Sequence, residues 1–548
     1  MFRLFVFALI LLTAAVHAQH GVDPARMTGH VKVLASDDFE GRAPGTAGEV
    51  KTVDYIVTQF QTLGVQPGGA PDGRGGRAWT QDVPLTQSDA AGPVTVSIGS
   101  DARRALSQGD EIAIRATHLP TARVTVEHAP LVFVGYGVSA PERKWDDFKG
   151  VDLRGKIGLV LINDPDFEAD LRGRFDGRAM TYYGRWTYKF EEAARRGALG
   201  MLVIHETAPA SYGWATVKNS NTITMVDIVR PDPAAVHPAV EGWIHRDVAD
   251  WVFESAGLDF EAEKKKAQRA DFKPVTLAGL SFSLDYAVKQ SRVVSKNVVG
   301  RLEGRTRPDE TVIYTAHWDH LGIGAPDQRG DRIYNGARDN ALGIASLLEI
   351  ARLWTAAPRS DRTVVFLALT AEEKGLLGSE YYAQQPLYPL ETTAAVYNMD
   401  GGSTWGPSND VAIAGEGKIS LQRDLAMAAR LKGREFSPDP RPEAGSFFRS
   451  DHFPFAKVGV PAISFRSGEN LEKGGVAAGK SASDAYTEQR YHQPSDEWSP
   501  AWDLTGAAQD TELLSTIGRE LANSRRWPEW QQGSEFKAVR DKSARARR

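Results

Sequence analysis

The residues of this 548-residue chain best able to do chemistry are histidines and carboxylates that follow apolar segments. They are His317 and Asp319, Asp339, the pair Glu372 and Glu373, Asp400, and His492 with Asp496. The chain contains no cysteine, which excludes disulfides, thiolate metal sites and cysteine nucleophiles. Any metal must therefore be held by imidazole and carboxylate groups, a set that suits Zn²⁺ and also accepts Mn²⁺ or Co²⁺.

The elements that must position these residues are predicted from about Asn297 onward. Continuous apolar runs predict strands at Val312–Ala316, Thr363–Leu369 and Ala394–Met399, and apolar residues on one face predict a helix from Asn340 to Ala357. Strands alternating with helices predict a three-layer α/β/α domain. Each predicted strand ends beside one of the residues above, at the edge where open α/β sheets form their sites.

Glu372 and Glu373 are adjacent residues that leave a predicted strand. Such neighbours point in opposite directions, so one can bind a metal while the other faces a water as general base. An ordinary solvated pair is the alternative, and the wholly apolar strand before it makes that alternative weaker. His320 and His452 stay undecided between ligands and residues of the pocket wall.

Composition limits the classes of protein. Hydrophobic residues make up 42% and charged residues 25%, which excludes a disordered chain. Lys and Arg (65) nearly balance Asp and Glu (70), so no basic excess points to nucleic acid. The length predicts two or more domains.

The two ends of the chain predict processing and a tail. Arg3 precedes an apolar run, Leu4–Val16, that is too short to span a membrane, and Ala18 ends a small-residue cleavage site. We expect a signal peptide at 1–18 and export to the periplasm or the medium, with a retained anchor as the alternative and no stable membrane insertion. Residues 531–548 are expected to form a basic, frayed C-terminal tail.

Six motifs occur in order and carry a family resemblance. They are His317-x-Asp319, Gly336-Ala337-x-Asp339-Asn340, Glu372-Glu373, Asn398-Met399-Asp400, Ser450-Asp451-His452-x-Pro454-Phe455 and Tyr491-His492-x-Pro494-x-Asp496. Together they resemble the co-catalytic di-zinc aminopeptidases, the family of bacterial leucyl aminopeptidases and glutamate carboxypeptidase.

The resemblance implies a zinc-peptidase domain (phosphorylase/hydrolase-like) built from 19–118 and 286–530. The β-rich residues 119–285, which contain Tyr136-Gly137 and Leu153-Arg154-Gly155-Lys156-Ile157, resemble an inserted protease-associated domain.

The same resemblance implies a role for each site residue and a secreted peptidase acting on peptides. Two Zn²⁺ per chain would be bridged by Asp339, one completed by His317 and Asp400 and the other by Glu373 and His492. Glu372 would be the general base and Tyr491 the donor to the oxyanion. Asp319 and Asp496 would support the ligands from behind.

Other functions remain open at this point. A carboxypeptidase or dipeptidase of the same family, a single-zinc glutaminyl cyclase, a metal phosphoesterase and a non-catalytic relative would share parts of the pattern. Arg338 departs from the family, in which many members have an acidic residue before the bridging Asp. Only isolated arginines, Arg338, Arg449 and Arg466, lie near the motifs, whereas a carboxypeptidase needs a clamp of basic residues. The sequence therefore favours an aminopeptidase. Oligomeric state is not predicted.

Overall fold

A computed structural model describes residues 21–168, 173–175, 177–415 and 418–547. The predicted signal peptide, 1–18, lies outside these residues. Among the helices that are described, none has the length and apolar character that crossing a membrane requires.

The chain divides into two compact units. The first contains the residues up to Val83, Ser295–Pro440 and those from Ser450 onward, and the second contains Pro84–Val294 and Arg441–Arg449. The second unit therefore begins earlier than the predicted insertion at 119–285. The reason is strand pairing: Thr95–Gly99 pairs with Ser281–Asp285, and Ile112–Ile114 pairs with Gly242–Ile244. These long-range partners tie residues before 119 to the second unit.

The centre of the first unit is a mixed sheet. Its four central strands are parallel, in the order Arg362–Leu369, Arg307–His317, Thr393–Met399 and Ala462–Ser467. Antiparallel neighbours flank them, the end of Val275–Leu302 on one side and Asp410–Ile413 on the other, with the short strands Gln66–Pro67 and Glu435–Phe436 outermost. The three strands predicted from apolar runs are confirmed.

Alternation along these strands gives the sheet two apolar faces. On one face the rings of Tyr314, Phe366 and Tyr397 stack side by side, at centroid separations of 6.2 and 5.4 Å, and Trp354 packs edge-on against Tyr314. The opposite face carries a separate hydrophobic core in which Ile313 is fully buried. Because both faces are buried, the strands are apolar without interruption.

Helices cover both faces of this sheet. The predicted long helix is observed as Leu342–Thr355 and packs with Pro24–Leu34 and Thr505–Asn523 on the aromatic face. Leu377–Gln384 and His452–Lys457 contribute Tyr382 and Phe455 to the hydrophobic core on the opposite face. The remaining helices of the first unit are Ala47–Thr62, Leu421–Leu431, Gly475–Gln489 and Lys537–Lys542. The predicted three-layer α/β/α class is confirmed.

The second unit is rich in strands. Its strands are Thr95–Gly99, Arg103–Leu106, Ile112–Ile114, Arg123–Phe133, Ser139–Ala140, Trp145–Asp146, Ile157–Leu161, Gly200–His205, Met225–Ile228 and Val240–His245, with parts of Thr80–Ala90 and Val275–Leu302. Its helices are Trp186–Arg195, Thr207–Ala210, Trp214–Asn221, Arg246–Ser255 and Phe260–Ala267. A core of buried aliphatic and aromatic residues, including Phe133 and Phe253, holds it together.

The C-terminal segment is ordered, so the predicted frayed tail is wrong for the residues described. The helix Lys537–Lys542 places Arg540 in the interior, 3% exposed, where a guanidinium nitrogen donates to the carbonyl of Thr393 at 2.9 Å. Phe536 is buried and packs on Trp530. Composition indicated a basic tail, but these few long-range contacts are enough to fix it.

Candidate metal centre

The carboxyl ends of the central strands lie side by side. His317 is in register with Leu369 on one neighbour, and Thr315 is in register with Asn398 on the other. The residues that follow these positions therefore meet at one edge of the sheet.

His317 lies at the centre of this edge. Its Nε2 is 3.2 Å from Asp339 Oδ1, 3.5 Å from Asp400 Oδ1 and 3.9 Å from Glu372 Oε2. Its other ring nitrogen, Nδ1, is 3.1 Å from the carbonyl oxygen of Asp319. A backbone acceptor on Nδ1 leaves the Nε2 lone pair directed at the carboxylates.

A second histidine approaches the same aspartate from the other side. His492 Nε2 is 3.4 Å from Asp339 Oδ2 and 3.0 Å from Glu373 Oε2. Each oxygen of Asp339 thus faces a different histidine. A carboxylate with this arrangement can be shared by two metal ions.

The two glutamates diverge as predicted, but the geometric reason differs. The strand ends at Leu369, Ala371 takes a positive φ of 53°, and Glu372–Lys374 form one 3₁₀ turn. Glu372 faces His317, whereas Glu373 lies between His492 and His320. A turn, and not strand alternation, separates the pair.

Two buried carboxylates support the loops that carry the ligands. Asp496 accepts the backbone N–H groups of Arg338 and Asp339 at 3.2 and 3.1 Å, together with the Tyr486 hydroxyl. Asp319 accepts the N–H groups of Glu372 and Glu373 at 3.0 and 3.4 Å.

Asp319 contacts the glutamate turn and His317 through different atoms. Its carboxylate Oδ1 lies 3.7 Å from His317 Nδ1, farther than its own carbonyl oxygen. It positions the glutamate turn directly and contacts His317 chiefly through its backbone.

Tyr491 and Arg338 lie next to the ligands. The Tyr491 ring packs on His492 with centroids 3.9 Å apart, which places the phenol beside the site. The Arg338 guanidinium lies over Tyr486, 4.1 Å from the ring centroid, and its Nε donates to the carbonyl of Gly402. Arg338 is thus part of the wall, which is consistent with its not being a ligand.

Burial and mutual contact set the charges of the site. Burial raises the pKa of Glu372 well above its usual range. Burial would lower the pKa values of His317 and His492, but neighbouring carboxylates outweigh it, raising that of His317 well above its usual range and that of His492 to about 9. The pKa of Asp339 falls well below its ordinary value, because the two histidines outweigh the effect of burial.

The residues present fit metal ions better than protons. His317 Nε2 is buried and makes no hydrogen bond of good geometry within the described part of the chain, although carboxylate oxygens surround it. Ligands of a tetrahedral Zn²⁺ lie about 3.3 Å apart, given Zn–N and Zn–O bonds of roughly 2.0–2.2 Å. The spacings of 3.0–3.5 Å around His317 and His492 match this value. One face stays open, since the side chain of Asp400 is 25% exposed.

The structure adds two residues that the sequence analysis did not assign. His320, left undecided, places Nδ1 2.5 Å from Glu373 Oε1 and so holds the ligand from behind. Arg42 is 1% exposed and donates to the carbonyls of Trp318, Leu34, Asn335 and Gly336 at 2.6–2.8 Å. Nothing in the local sequence signals Arg42, apart from the adjacent Gly41. His452, also undecided, is fully buried in the helix His452–Lys457.

Comparison with known proteins gives a family match for part of the chain. Residues 297–515 match the family described as peptidase family M28, which confirms the resemblance drawn from the six motifs. The aminopeptidase YwaD of Bacillus subtilis (strain 168) is 27% identical over 181 residues, 32% of this chain and 36% of that protein. A probable zinc metalloprotease of Pyrenophora tritici-repentis (strain Pt-1C-BFP) is 36% identical over 157 residues, 27% of this chain and 35% of that protein.

These matches span about a third of the length of the curated relatives. A solved structure, the aminopeptidase from Aneurinibacillus sp. strain AM-1, aligns with a TM-score of 0.53 at 20% identity. The alignment covers 91% of this chain and 94% of that one. At 20% identity this likeness is evidence for a shared fold alone.

Proposed function

We propose that this chain, whose residues 297–515 match peptidase family M28, is an exported di-zinc aminopeptidase that removes the N-terminal residue of peptides. The observation that carries the proposal is the position of Asp339 between two histidines. One of its carboxylate oxygens lies 3.2 Å from His317 and the other lies 3.4 Å from His492. That arrangement supports a shared ligand between two ions.

The remaining ligands follow from proximity. His317 and Asp400 would hold one Zn²⁺, and Glu373 and His492 the other, with Asp339 common to both. When bound, such a pair of ions supplies Lewis-acid polarisation of the scissile carbonyl and lowers the pKa of a water.

Glu372 is the group left to move the proton. It borders the metal ligands and is buried, and burial raises its pKa well above the usual range. It takes the proton of the attacking water as the C–O bond forms and the carbonyl oxygen becomes negative. It then gives the proton to the amine nitrogen, so that the peptide C–N bond breaks and the carbonyl is restored. General acid–base work of this kind contributes about 10²–10⁴-fold.

Tyr491 is proposed to donate a hydrogen bond to the oxygen that becomes negative in the tetrahedral transition state. Its ring packs against His492, and this contact holds the phenol beside a proposed metal ligand. A fixed donor of this kind stabilises charge only where it develops, which lowers the barrier to the reaction.

The charged side chains near the open face indicate which end of a peptide binds there. Asp400, whose side chain is 25% exposed, presents a carboxylate at the open face, and this favours a substrate ammonium over a substrate carboxylate. Arg338 is engaged with Tyr486 and Gly402 and is not a free carboxylate clamp. The Bacillus subtilis relative is named an aminopeptidase, and this supports an aminopeptidase over a carboxypeptidase.

Export and the nature of the second unit remain part of the proposal. The basic residue, the apolar run and Ala18 at the N-terminus support removal of a signal peptide and a periplasmic or extracellular location. The β-rich second unit supports a protease-associated type of insertion. Peptides are the proposed partners, and neither a nucleic acid nor insertion into a membrane is proposed.

The experiment is hydrolysis of leucine p-nitroanilide before chelation, after chelation and after Zn²⁺ is restored. The proposal predicts that turnover falls with the metal content and returns when Zn²⁺ is added. Turnover that persists after complete removal of metal would overturn it.

A further inference from the structure

A second group of potential metal ligands lies in the second unit. One ring nitrogen each of His118 and His237 and one carboxylate oxygen of Glu241 lie within 4.8 Å of one another. Glu241 is in the strand Val240–His245, and His237 is in the loop before it. Backbone pairing of Arg115 with Glu241 brings the segment that carries His118 to the same place.

Glu241 and His237 each have one atom anchored from behind. Glu241 Oε2 accepts from Arg115 Nε at 3.1 Å, which leaves Oε1 beside His237 Nδ1 at 2.7 Å. The other nitrogen of His237, Nε2, is 3.2 Å from Asp227 Oδ2. A metal-binding histidine commonly donates its second nitrogen to a carboxylate in this way.

Asp227 is itself held firmly. Arg230 donates to both of its oxygens, at 2.7 and 2.9 Å, and the N–H of Ile228 adds a third hydrogen bond. The orientation of His237 is therefore fixed before any ligand arrives.

His118 is the residue that internal hydrogen bonds do not explain. It is 6% exposed, and its Nδ1 is buried with no hydrogen-bond partner among the described residues. Its ring lies against that of His237, with centroids 4.3 Å apart. A buried polar atom without a hydrogen bond lowers the stability of the fold by about 1–3 kcal/mol. A ligand that binds this nitrogen would remove that cost.

We propose that His118, His237 and Glu241 hold a divalent transition-metal ion, best Zn²⁺, in the second unit, apart from the peptidase residues. Two imidazoles and one carboxylate are a common Zn²⁺ set, with a fourth position left for water. The His237 side chain is 18% exposed, which gives an ion access from solvent. Bound there, the ion joins the strand Val240–His245 to the segment that follows Ile112–Ile114.

Burial and neighbouring charges act on both histidines. Burial, with His237 nearby, lowers the pKa of His118 to about 3. Burial would lower the pKa of His237, but Glu241 and Asp227 outweigh it and raise it to about 9.

The test counts zinc by mass spectrometry in dialysed full-length protein. The Asp339→Ala background removes the shared peptidase ligand, so that any metal left reports on the second unit. We expect Asp339→Ala to keep about one equivalent of zinc, and Asp339→Ala with His118→Asn to keep almost none. As a matched control, His128→Asn, which alters an exposed histidine of the same unit, should keep the equivalent.

In the otherwise unchanged chain, His118→Asn should lower the zinc content by about one equivalent and leave turnover of leucine p-nitroanilide unchanged. This difference does not depend on the peptidase assignment, so failure of the two proposals can be told apart. Equal zinc with and without His118→Asn, in either background, would overturn the site.

A further measurement avoids any change to the site. Zinc should raise the thermal midpoint of the Asp339→Ala protein, because an ion that binds only the folded form stabilises it. If His118→Asn does not fold, Glu241→Gln replaces it in the zinc count. An Asp339→Ala protein that neither binds zinc nor shifts its midpoint would contradict the proposal.

Discussion

Arg42 Nε donates a hydrogen bond to the carbonyl oxygen of Trp318 at 2.8 Å. Trp318 directly follows His317, so a side chain 276 residues earlier fixes the backbone beside a predicted metal ligand. The same guanidinium binds the carbonyls of Asn335 and Gly336, just before Asp339. One buried arginine thus positions two ligand loops.

Substitution of Arg42 by Lys should reduce metal affinity and stability together. A lysine ammonium cannot reproduce a planar fork that reaches four carbonyls, and each buried acceptor left unpaired costs about 1–3 kcal/mol. We expect the free energy of unfolding to fall by about 2–4 kcal/mol. Denaturant unfolding and a zinc titration measure both effects. Arg329→Lys, at a 60% exposed arginine, is the matched control and should change neither. Unchanged zinc affinity in Arg42→Lys would show that the loops hold without it.

The contribution of Arg42 shows where prediction from sequence ends. The strands ending at His317, Leu369 and Met399 could be predicted, because apolar runs and the residues after them are local features. Arg42 could not be predicted, because its acceptors are backbone carbonyls that carry no sequence signal. His320 was ambiguous for a related reason: its partner, Glu373, lies 53 residues away.

Boundaries and turns were the weaker predictions. The second unit begins before residue 119 because strand partners far along the chain decide it. The two glutamates separate through the positive φ of Ala371, a backbone feature that strand periodicity does not contain. The ligand set stays a prediction drawn from the family resemblance, and it agrees with the few ligand types that a chain without cysteine offers.

Asp339→Ala should remove two equivalents of metal relative to the unchanged chain, because its oxygens face both histidines. His317→Ala should weaken one ion preferentially, since this residue contacts Asp339 through one oxygen only. Elemental analysis after dialysis gives both numbers. Asp339→Ala protein with an unchanged metal content would show that the carboxylate is not shared.

Peptides with a free N-terminus should be hydrolysed, and their N-acetylated forms resisted. The Asp400 carboxylate at the open face favours an ammonium, and an acetyl group removes that charge. Matched pairs of leucyl peptides, with and without the acetyl group, give kcat/KM for each by chromatography. Efficient release of C-terminal residues from acetylated peptides would indicate a carboxypeptidase instead.

Removal of residues 534–548 should destabilise the first unit. The segment buries Phe536 and Arg540, and Arg540 donates to the carbonyl of Thr393 at the start of a central strand. We expect a lower thermal midpoint, with the loss dominated by buried apolar area and an unpaired carbonyl. Arg540→Ala should account for part of the loss, and Lys542→Ala, at an exposed position, for almost none. Equal thermal midpoints for the full and shortened chains would indicate that the segment does not stabilise the fold, as expected of a frayed tail.

The central claim is that Glu372 moves the proton while other residues hold the metal. The most direct test measures zinc content and leucine p-nitroanilide turnover together in Glu372→Gln, a substitution that keeps the shape and removes the base. We predict an unchanged zinc content and a kcat lower by about 10²–10⁴-fold, the range typical of a general base. Loss of zinc with unchanged turnover per remaining ion would instead make Glu372 a ligand and contradict the account.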